Sequence, residues 1–306
     1  MTTMPNFFVI GAQKAGTTSL YYYLDQHHQV YMSPVKEPHF FEGMQSEYRR
    51  PGRRKSSVSD LRDYQALFAG VSGEKAVGEA SASYLYSPKA PVLIRRSVPD
   101  ARIITVLRDP AERAYSNFLH VVQVGREPLA DFAAALQAEE GRMRDNWGPL
   151  WYYEHKGFYY AQVKRYLETF GRDRVGIWLF EDLRDRPTEM MREIFRFLDV
   201  DESFVPQVSI EHNPSGLPRN EGVKALYNRV RALSARNPAL IGRFLPAGLR
   251  TRVRNRIFVK PPPFPPEVRR RLSRSYREDI LKLQELIGRD LSPWLMDEGG
   301  NPSADS

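Results

Sequence analysis

The chain has 306 residues, a formal net charge of +8 and no cysteine. The lack of cysteine excludes disulfides, cysteine-ligated metal sites and thiol catalysis, and it fits a reducing compartment. The length allows a substantial core, and we favour one α/β domain over two small ones. The positive charge suits a protein with polyanionic ligands, a class that does not require nucleic acid.

The stretch Asn6–Leu20, NFFVIGAQKAGTTSL, predicts a strand, a tight loop and a helix. The apolar run Phe7–Ile10 has the length and composition of a buried strand, and a helix begins near Thr17. Gly11 and Gly16 allow the backbone between them to turn and to expose its N–H groups. Loop and helix N-terminus together predict an anion cradle.

This loop departs from the NTPase pattern GxxxxGK[ST], because Thr17 follows the second glycine and the lysine comes earlier, at Lys14. We therefore expect Lys14 to reach a 5′-phosphate group rather than a γ-phosphate. The hydroxyls of Thr17, Thr18 and Ser19 would complete the cradle. Taken alone, the pattern also fits an ordinary strand–helix turn with an exposed lysine.

A second group of charged residues follows the short predicted strand Val30–Met32. Prolines within Ser33–Phe41 prevent regular structure, so Lys36, Glu37 and His39 are expected on a loop. By themselves they fit a surface charge pair beside a packed histidine.

Two further stretches have open interpretations. The basic run Arg49–Lys55 is typical of a solvated mobile loop, and alternatively of a lid that steers an anionic acceptor. The aromatic stretch Arg142–Tyr153 fits either core or the lining of a cleft.

Near the end of the chain, Lys260–Pro266 predicts a stiff connector to a last helix that docks on the core.

The remaining elements alternate between strands and helices. Strands are predicted over Lys75–Glu79, Arg102–Leu107 and Arg174–Phe180; helices are predicted over Asp60–Ala69 with Ser59 as cap, Ser87–Ser97, Ala111–Val124, Leu129–Glu139, Tyr160–Phe170, Glu181–Asp199 and Glu267–Ile287. This order predicts a single P-loop-like α/β domain, with a central parallel sheet flanked by helices on both faces. Glu79 and Ser81 fall at the carboxyl edge of that sheet, where ligands gather, and are secondary site candidates.

Three motifs together carry a family resemblance: QKAGTTSL, KEPHFFE at Lys36–Glu42, and LRDPAERAYSNFLH at Leu107–His120. In order and spacing they resemble the sulfotransferases that use 3′-phosphoadenosine 5′-phosphosulfate (PAPS), especially heparan sulfate sulfotransferase domains and bacterial relatives. The resemblance covers most of the chain. It implies transfer of a sulfuryl group from PAPS to a hydroxyl or amine of a carbohydrate or other small acceptor.

The resemblance also implies roles for particular residues. Glu37 takes the position of the general base, and His120 that of a second base or proton relay. Arg108 and Ser116 match the pair that grips the 3′-phosphate, and Arg219 is chosen for a further contact, although the glycine-flanked Lys-Arg of the heparan-type members is missing here. The predicted catalytic residues are Lys14, Glu37 and His120; the predicted cofactor-binding residues are Lys14, Ala15, Gly16, Thr17, Thr18, Ser19, Arg108, Ser116 and Arg219.

The remaining expectations concern partners, location and alternatives. No metal is expected. No apolar run approaches the length of a membrane span, so a cytoplasmic protein is predicted. Residues 1–296 are predicted to form the domain, and residues 297–306 a disordered tail. The alternatives are a P-loop kinase or NTPase, which predicts lysine directly after Gly16, a basic nucleic-acid-binding protein, and a non-catalytic nucleotide binder.

Overall fold

The computed structural model describes residues 3–42, 58–208, 217–218, 258–259 and 262–295. Five short runs rich in apolar residues form a parallel sheet with the order β2-β3-β1-β4-β5. The strands are β1 Phe7–Gly11, β2 Val30–Met32, β3 Ala76–Ala80, β4 Arg102–Leu107 and β5 Val175–Leu179. Such runs, apolar at nearly every position, are typical of parallel strands covered on both faces.

Ten α-helices connect and cover the strands within these ranges. They are α1 Thr17–Leu24, α2 Leu61–Ala66, α3 Ala90–Ser97, α4 Pro110–Gln123, α5 Phe132–Gln137, α6 Glu139–Arg144, α7 Tyr160–Phe170, α8 Phe180–Asp185, α9 Pro187–Leu198 and α10 Pro266–Ile287. Leu217–Pro218 pairs antiparallel with Phe258–Val259 as a separate two-stranded ribbon.

The strand order places helices on both faces of the sheet. The crossover from β1 to β2 runs in one direction, and those from β2 to β5 run in the other. Because such crossovers are right-handed, opposite directions put their helices on opposite faces. On the first face His27, just after α1, packs against Phe195 of α9 with ring centroids 4.6 Å apart. On the other face α3 contacts α7. The predicted fold class is confirmed.

Several predicted boundaries were wrong, for local reasons. Asp60, not Ser59, caps α2: its Oδ1 accepts the Arg62 amide at 2.7 Å. The helix predicted over Leu129–Glu139 is shorter, because Asp131 caps α5 and it begins only at Phe132. It ends at Gln137, and a separate helix, α6, begins at Glu139. The helix predicted over Glu181–Asp199 is likewise divided, with Pro187 at the first position of α9.

The aromatic stretch belongs to the core. Trp151, Tyr152 and Tyr153 are 5%, 6% and 0% exposed. The basic run Arg49–Lys55 and the tail 297–306 lie outside the described residues.

Close packing at the centre of the sheet gives a test of the fold. Phe7 of β1 pairs with Gly78 of β3, and a Cβ on Gly78 would lie 2.1 Å from Phe7 Cζ. We expect Gly78→Ala to lower the free energy of unfolding by about 1–3 kcal/mol, because the enclosed ring has no room to move. The measurement is urea unfolding of the purified protein.

Gly141→Ala is the matched control for this substitution. Gly141 lies in α6, where the nearest atom to an added Cβ is Arg144 Nη2 at 4.0 Å. Removing a helical glycine there should leave stability unchanged or raise it by up to about 1 kcal/mol. Equal unfolding midpoints for the two variants would contradict the packing described.

Candidate active site

The loop between β1 and α1 has the form of an anion cradle. Gly16 is the N-cap of α1 and has a φ of +85°. Because glycine has no side chain to cap the helix, the N–H groups of the first turn remain available to a ligand. A Cβ at this position would lie 2.3 Å from Leu183 Cδ2 of α8, so glycine is required for both conformation and space. The first turn of α1 contains no acidic residue, which favours a bound anion.

The other predicted residues of the loop occupy distinct places. Ala15 is buried, and its amide donates to the Ala12 carbonyl at 3.1 Å, so that N–H already has an acceptor within the loop. Thr17 is 5% exposed, whereas Thr18 and Ser19 keep partial exposure at the start of α1. The cradle therefore consists mainly of the helix N-terminus and the side chain of Lys14.

Lys14 connects the three sequence motifs. Its pKa is lowered to about 8, first by burial, then by the charges of Arg108 and Lys36, with Glu37 acting in the opposite direction. Arg108 Nη1 donates to the Lys14 carbonyl at 3.2 Å. Residues from three separate turns thus come together at one edge of the sheet, as the resemblance implies.

Arg108 is held on several sides at the end of β4. Its guanidinium lies 4.7 Å from the centroid of the Phe180 ring, and Nη2 lies 3.2 Å from Glu112 Oε2. Glu112 also pairs with Arg269 of α10. Tyr159 Oη donates to the Arg108 carbonyl at 3.1 Å. Burial lowers the pKa of Arg108, the condition in which a nearby anion is most favourable.

Ser116 and His120 lie further along α4. Ser116 is 8% exposed and follows Glu112 by four residues, so the two share a helix face. His120 lies in the last turn, about 15 Å along the axis from Pro110. The predicted roles of both residues stay predictions. Arg219 lies outside the described residues.

Glu37 sits in a small ionic cluster beside Lys14. Lys36 Nζ lies 3.2 Å from Glu37 Oε1, and His39 Nε2 lies 3.5 Å from Glu37 Oε2. His39 Nδ1 is 3.3 Å from Glu42 Oε1 and 3.0 Å from Ser83 Oγ. A histidine between two carboxylates holds Glu37 in one orientation, which a positioned base requires.

Glu79 and Ser81, at the carboxyl end of β3, form hydrogen bonds that connect to this cluster. Glu79 is fully buried; it accepts hydrogen bonds from Tyr64 Oη at 3.0 Å, Tyr84 Oη at 2.8 Å and Ser81 Oγ at 2.7 Å. Ser81 Oγ in turn accepts the His39 amide at 3.2 Å. Burial raises the pKa of Glu79 to about 7, and the hydrogen bonds only partly offset it. These secondary candidates are therefore positioned to support the loop that carries His39.

Sequence reasoning missed one contact of the phosphate loop. Lys156, in a 3₁₀ turn before α7, is 7% exposed and donates from Nζ to Gln13 Oε1 at 2.7 Å. Its sequence context, KGFYY, predicts a lead into a helix, and the family resemblance implies that this tyrosine region lies close to the cofactor and acceptor. Neither assigns a role to Lys156 itself.

The described ranges contain neither a candidate metal cluster nor a helix that could span a membrane. Residues 3–42, 58–208 and 262–295 contain no group of three or more histidine, cysteine or acidic side chains arranged to hold a metal. Within the same part of the chain, no helix combines the length and apolarity of a membrane span.

The chain belongs to the sulfotransferase family, whose model matches residues 5–204. It is similar to the crystal structure of a sulfotransferase from Alicyclobacillus acidocaldarius, with a TM-score of 0.74 and 35% identity over 95% of this chain and 99% of that one. The P-loop-like parallel sheet predicted from the sequence is thus that of the family.

Curated animal relatives are similar over part of their length. Mouse bifunctional heparan sulfate N-deacetylase/N-sulfotransferase 4 is 31% identical over 203 residues, covering 64% of this chain and 22% of that protein. Human carbohydrate sulfotransferase 15 is 27% identical over 287 residues, covering 77% and 48%. The chain thus spans about a fifth to a half of these relatives.

The buried carboxyl of Glu79 predicts a pH dependence of stability. Its pKa rises on folding from 4.5 to about 7, so the folded state holds its proton more tightly. That contribution is complete below about pH 4.5 and is lost as the pH rises through about 7, a difference of about 3 kcal/mol. Between pH 4.5 and 7.5, urea unfolding should show a loss of stability that is about 3 kcal/mol smaller in Glu79→Gln than in the parent protein. The buried carboxyl of Asp109, whose pKa is raised to about 6, contributes equally to both.

The parent protein and Glu79→Gln are compared by how their free energies of unfolding change with pH, not by the absolute values, because glutamine also changes the hydrogen bonds of this side chain. Glu140→Gln, on an exposed side chain of α6, is the control and should keep the parent slope. An unchanged slope in Glu79→Gln would show that this carboxyl does not titrate across that range.

Proposed function

We propose that the protein transfers a sulfuryl group from PAPS to a hydroxyl or amine of an acceptor and releases adenosine 3′,5′-bisphosphate. The observation that carries this proposal is the convergence of Lys14, Arg108 and Glu37 at the carboxyl edge of the sheet. PAPS would supply an activated sulfuryl group attached to a 5′-phosphate. Membership of the sulfotransferase family supports the reaction class.

The residues present fit a nucleotide with two anionic ends. The helix N-terminus and Lys14 form one positive site, and Arg108, directly after the neighbouring strand β4, forms another. Because burial and neighbouring cations lower the pKa of Lys14, an anion bound beside it would be favourable. We assign the 3′-phosphate to Arg108 with Ser116, and add Arg219 as a further contact.

Lys14 and the backbone would stabilise the leaving group. The ammonium of Lys14 would neutralise charge that develops on the departing 5′-phosphate oxygen, and the N–H groups at the start of α1 would add hydrogen bonds. A bound anion favours the protonated lysine, so binding raises the pKa of Lys14 from about 8 and secures its charge at neutral pH.

Glu37 would take the acceptor proton. Lys36 and His39 fix its two carboxylate oxygens, at 3.2 Å and 3.5 Å, so that one face can meet the acceptor. We assign His120, in the last turn of α4, the role of a second base or proton relay for acceptors that extend along this helix.

The acceptor class is proposed to be a carbohydrate or another small molecule. Two of the similar animal proteins are a heparan sulfate N-deacetylase/N-sulfotransferase and a carbohydrate sulfotransferase, which supports a glycan acceptor. A single domain over residues 1–296 and a cytoplasmic location belong to the same proposal. The kinase alternative is disfavoured because Thr17 stands where its lysine is required.

Nucleotide binding provides the direct test. Calorimetric titration should show preference for adenosine 3′,5′-bisphosphate over 5′-AMP and over ATP with Mg²⁺. Arg108→Ala should weaken binding of the bisphosphate by about 10- to 100-fold more than binding of 5′-AMP, since loss of a charged hydrogen bond to the 3′-phosphate costs about 1.5–3 kcal/mol. Any loss of support for the Lys14 carbonyl affects both ligands alike. Arg184→Ala, exposed and paired with Asp185, is the control. Preferential binding of ATP with Mg²⁺ would overturn the proposal.

The role of Glu37 is tested by turnover. Glu37→Gln keeps the shape but removes the base, so kcat should fall by at least about 100-fold. Affinity for adenosine 3′,5′-bisphosphate should stay within about threefold, because the nucleotide sites are intact. Glu168→Gln, exposed on α7, should behave as the parent. Full activity of Glu37→Gln would exclude it as the base.

A further inference from the structure

The segment Tyr153–Tyr159, here called the brace, runs beside the phosphate loop and is held by side chains rather than by a sheet. At its start, both carboxylate oxygens of Glu139 accept backbone N–H groups. Those of Tyr153 and Glu154 meet Oε2 at 2.7 Å and 2.8 Å, and that of His155 meets Oε1 at 2.8 Å. One buried carboxylate thus fixes three successive peptide groups.

Other helices hold the carbonyl groups of the brace. Arg113 of α4 donates to the first of them, and Tyr276 of α10 donates to the second at 2.7 Å. Gln162 of α7 donates to the carbonyls of Lys156 and Phe158, at 3.1 Å and 2.7 Å. With Glu139 in α6, four helices converge on one irregular segment, so its conformation is firmly determined.

The brace touches both positive turns of the candidate site. Lys156 donates to Gln13 Oε1 at 2.7 Å, and Gln13 directly precedes Lys14. Three residues later, Tyr159 donates to the Arg108 carbonyl at 3.1 Å. A segment fixed by four helices therefore holds the loop after β1 and the turn after β4 at a constant spacing.

Lys14 needs such support, because its φ of +73° is unfavourable for a residue with a side chain. On one side, Arg108 holds the Lys14 carbonyl. On the other side, the contact of Lys156 holds the preceding residue, Gln13. The two contacts enclose the strained residue.

We propose that Lys156 is a positioning residue of the sulfotransferase site: through Gln13 it fixes the loop conformation that directs the Lys14 ammonium to the departing phosphate. The inference rests on the proposed function for its chemical meaning. It assigns a site role to a residue that lies 142 positions after Lys14 in the sequence and outside the three motifs.

Kinetics of Lys156→Met test the positioning role. We expect kcat for sulfuryl transfer to fall by about 10- to 100-fold, because small displacements of a catalytic group are costly. KM for the acceptor should change by less than about threefold, and Lys156→Arg should recover most of kcat. Gln13→Leu should match Lys156→Met, and the double variant should be no worse than either. Lys164→Met, exposed on α7, is the control.

Amide hydrogen exchange of the ligand-free protein gives a readout that does not depend on activity. Peptides that cover residues 11–19 should exchange at least about tenfold faster in Lys156→Met and Gln13→Leu than in the parent or Lys164→Met. Because Gln13→Leu leaves the brace intact, it carries the same test if Lys156→Met fails to fold.

The outcomes separate the two proposals. If the parent protein binds no adenosine 3′,5′-bisphosphate, the proposed function fails, and the exchange data still decide whether Lys156 orders the loop. If the parent transfers sulfuryl groups while Lys156→Met retains its kcat and exchange rates, the function stands and the positioning role is overturned.

Discussion

The candidate site holds three cationic side chains, Lys14, Lys36 and Arg108, close together in a partly buried place. Lys14 shows the consequence directly: burial and the charges of Arg108 and Lys36 lower its pKa to about 8, and Glu37 only partly compensates. Such an arrangement is unfavourable in the free protein. A bound anion would relieve it, because a nearby negative charge favours the protonated form of a buried lysine.

Residues with strained backbone conformations are concentrated in the candidate site. Among the described residues, five that are not glycine have positive φ, and three of them, Lys14, Glu37 and His39, belong to the candidate site. Each costs on the order of 1–3 kcal/mol and persists only where the surroundings hold it. The amides of Glu37 and His39 are bound by the Ala80 carbonyl and by Ser81 Oγ. Residues at the end of β3 thus hold the loop that carries Glu37 and His39.

What the sequence predicts well is whatever leaves a local pattern. The strands Val30–Met32 and Arg102–Leu107 have the predicted bounds, because continuous apolar runs between turn residues have few other solutions. The glycine spacing of the phosphate loop is equally local. The choice between Ser59 and Asp60 as a cap was not predictable, since both are good caps and adjacent. The break at Ala138 has no glycine or proline to announce it.

Tertiary contacts between distant side chains leave no such pattern. The bond from Lys156 to Gln13 joins residues 143 positions apart, and it exists only because four helices first fix the brace. Glu79 is a similar case: its place at the end of a strand is predictable, but its pKa near 7 follows from complete burial among Tyr64, Tyr84 and Ser81. Burial therefore brings the pKa values of two groups close to neutral: Glu79, beside the loop that carries Glu37 and His39, and Lys14 in the loop after β1. Groups tuned in this way are typical of catalytic sites. Here both depend on the packing of the whole domain rather than on the motifs that identify the family.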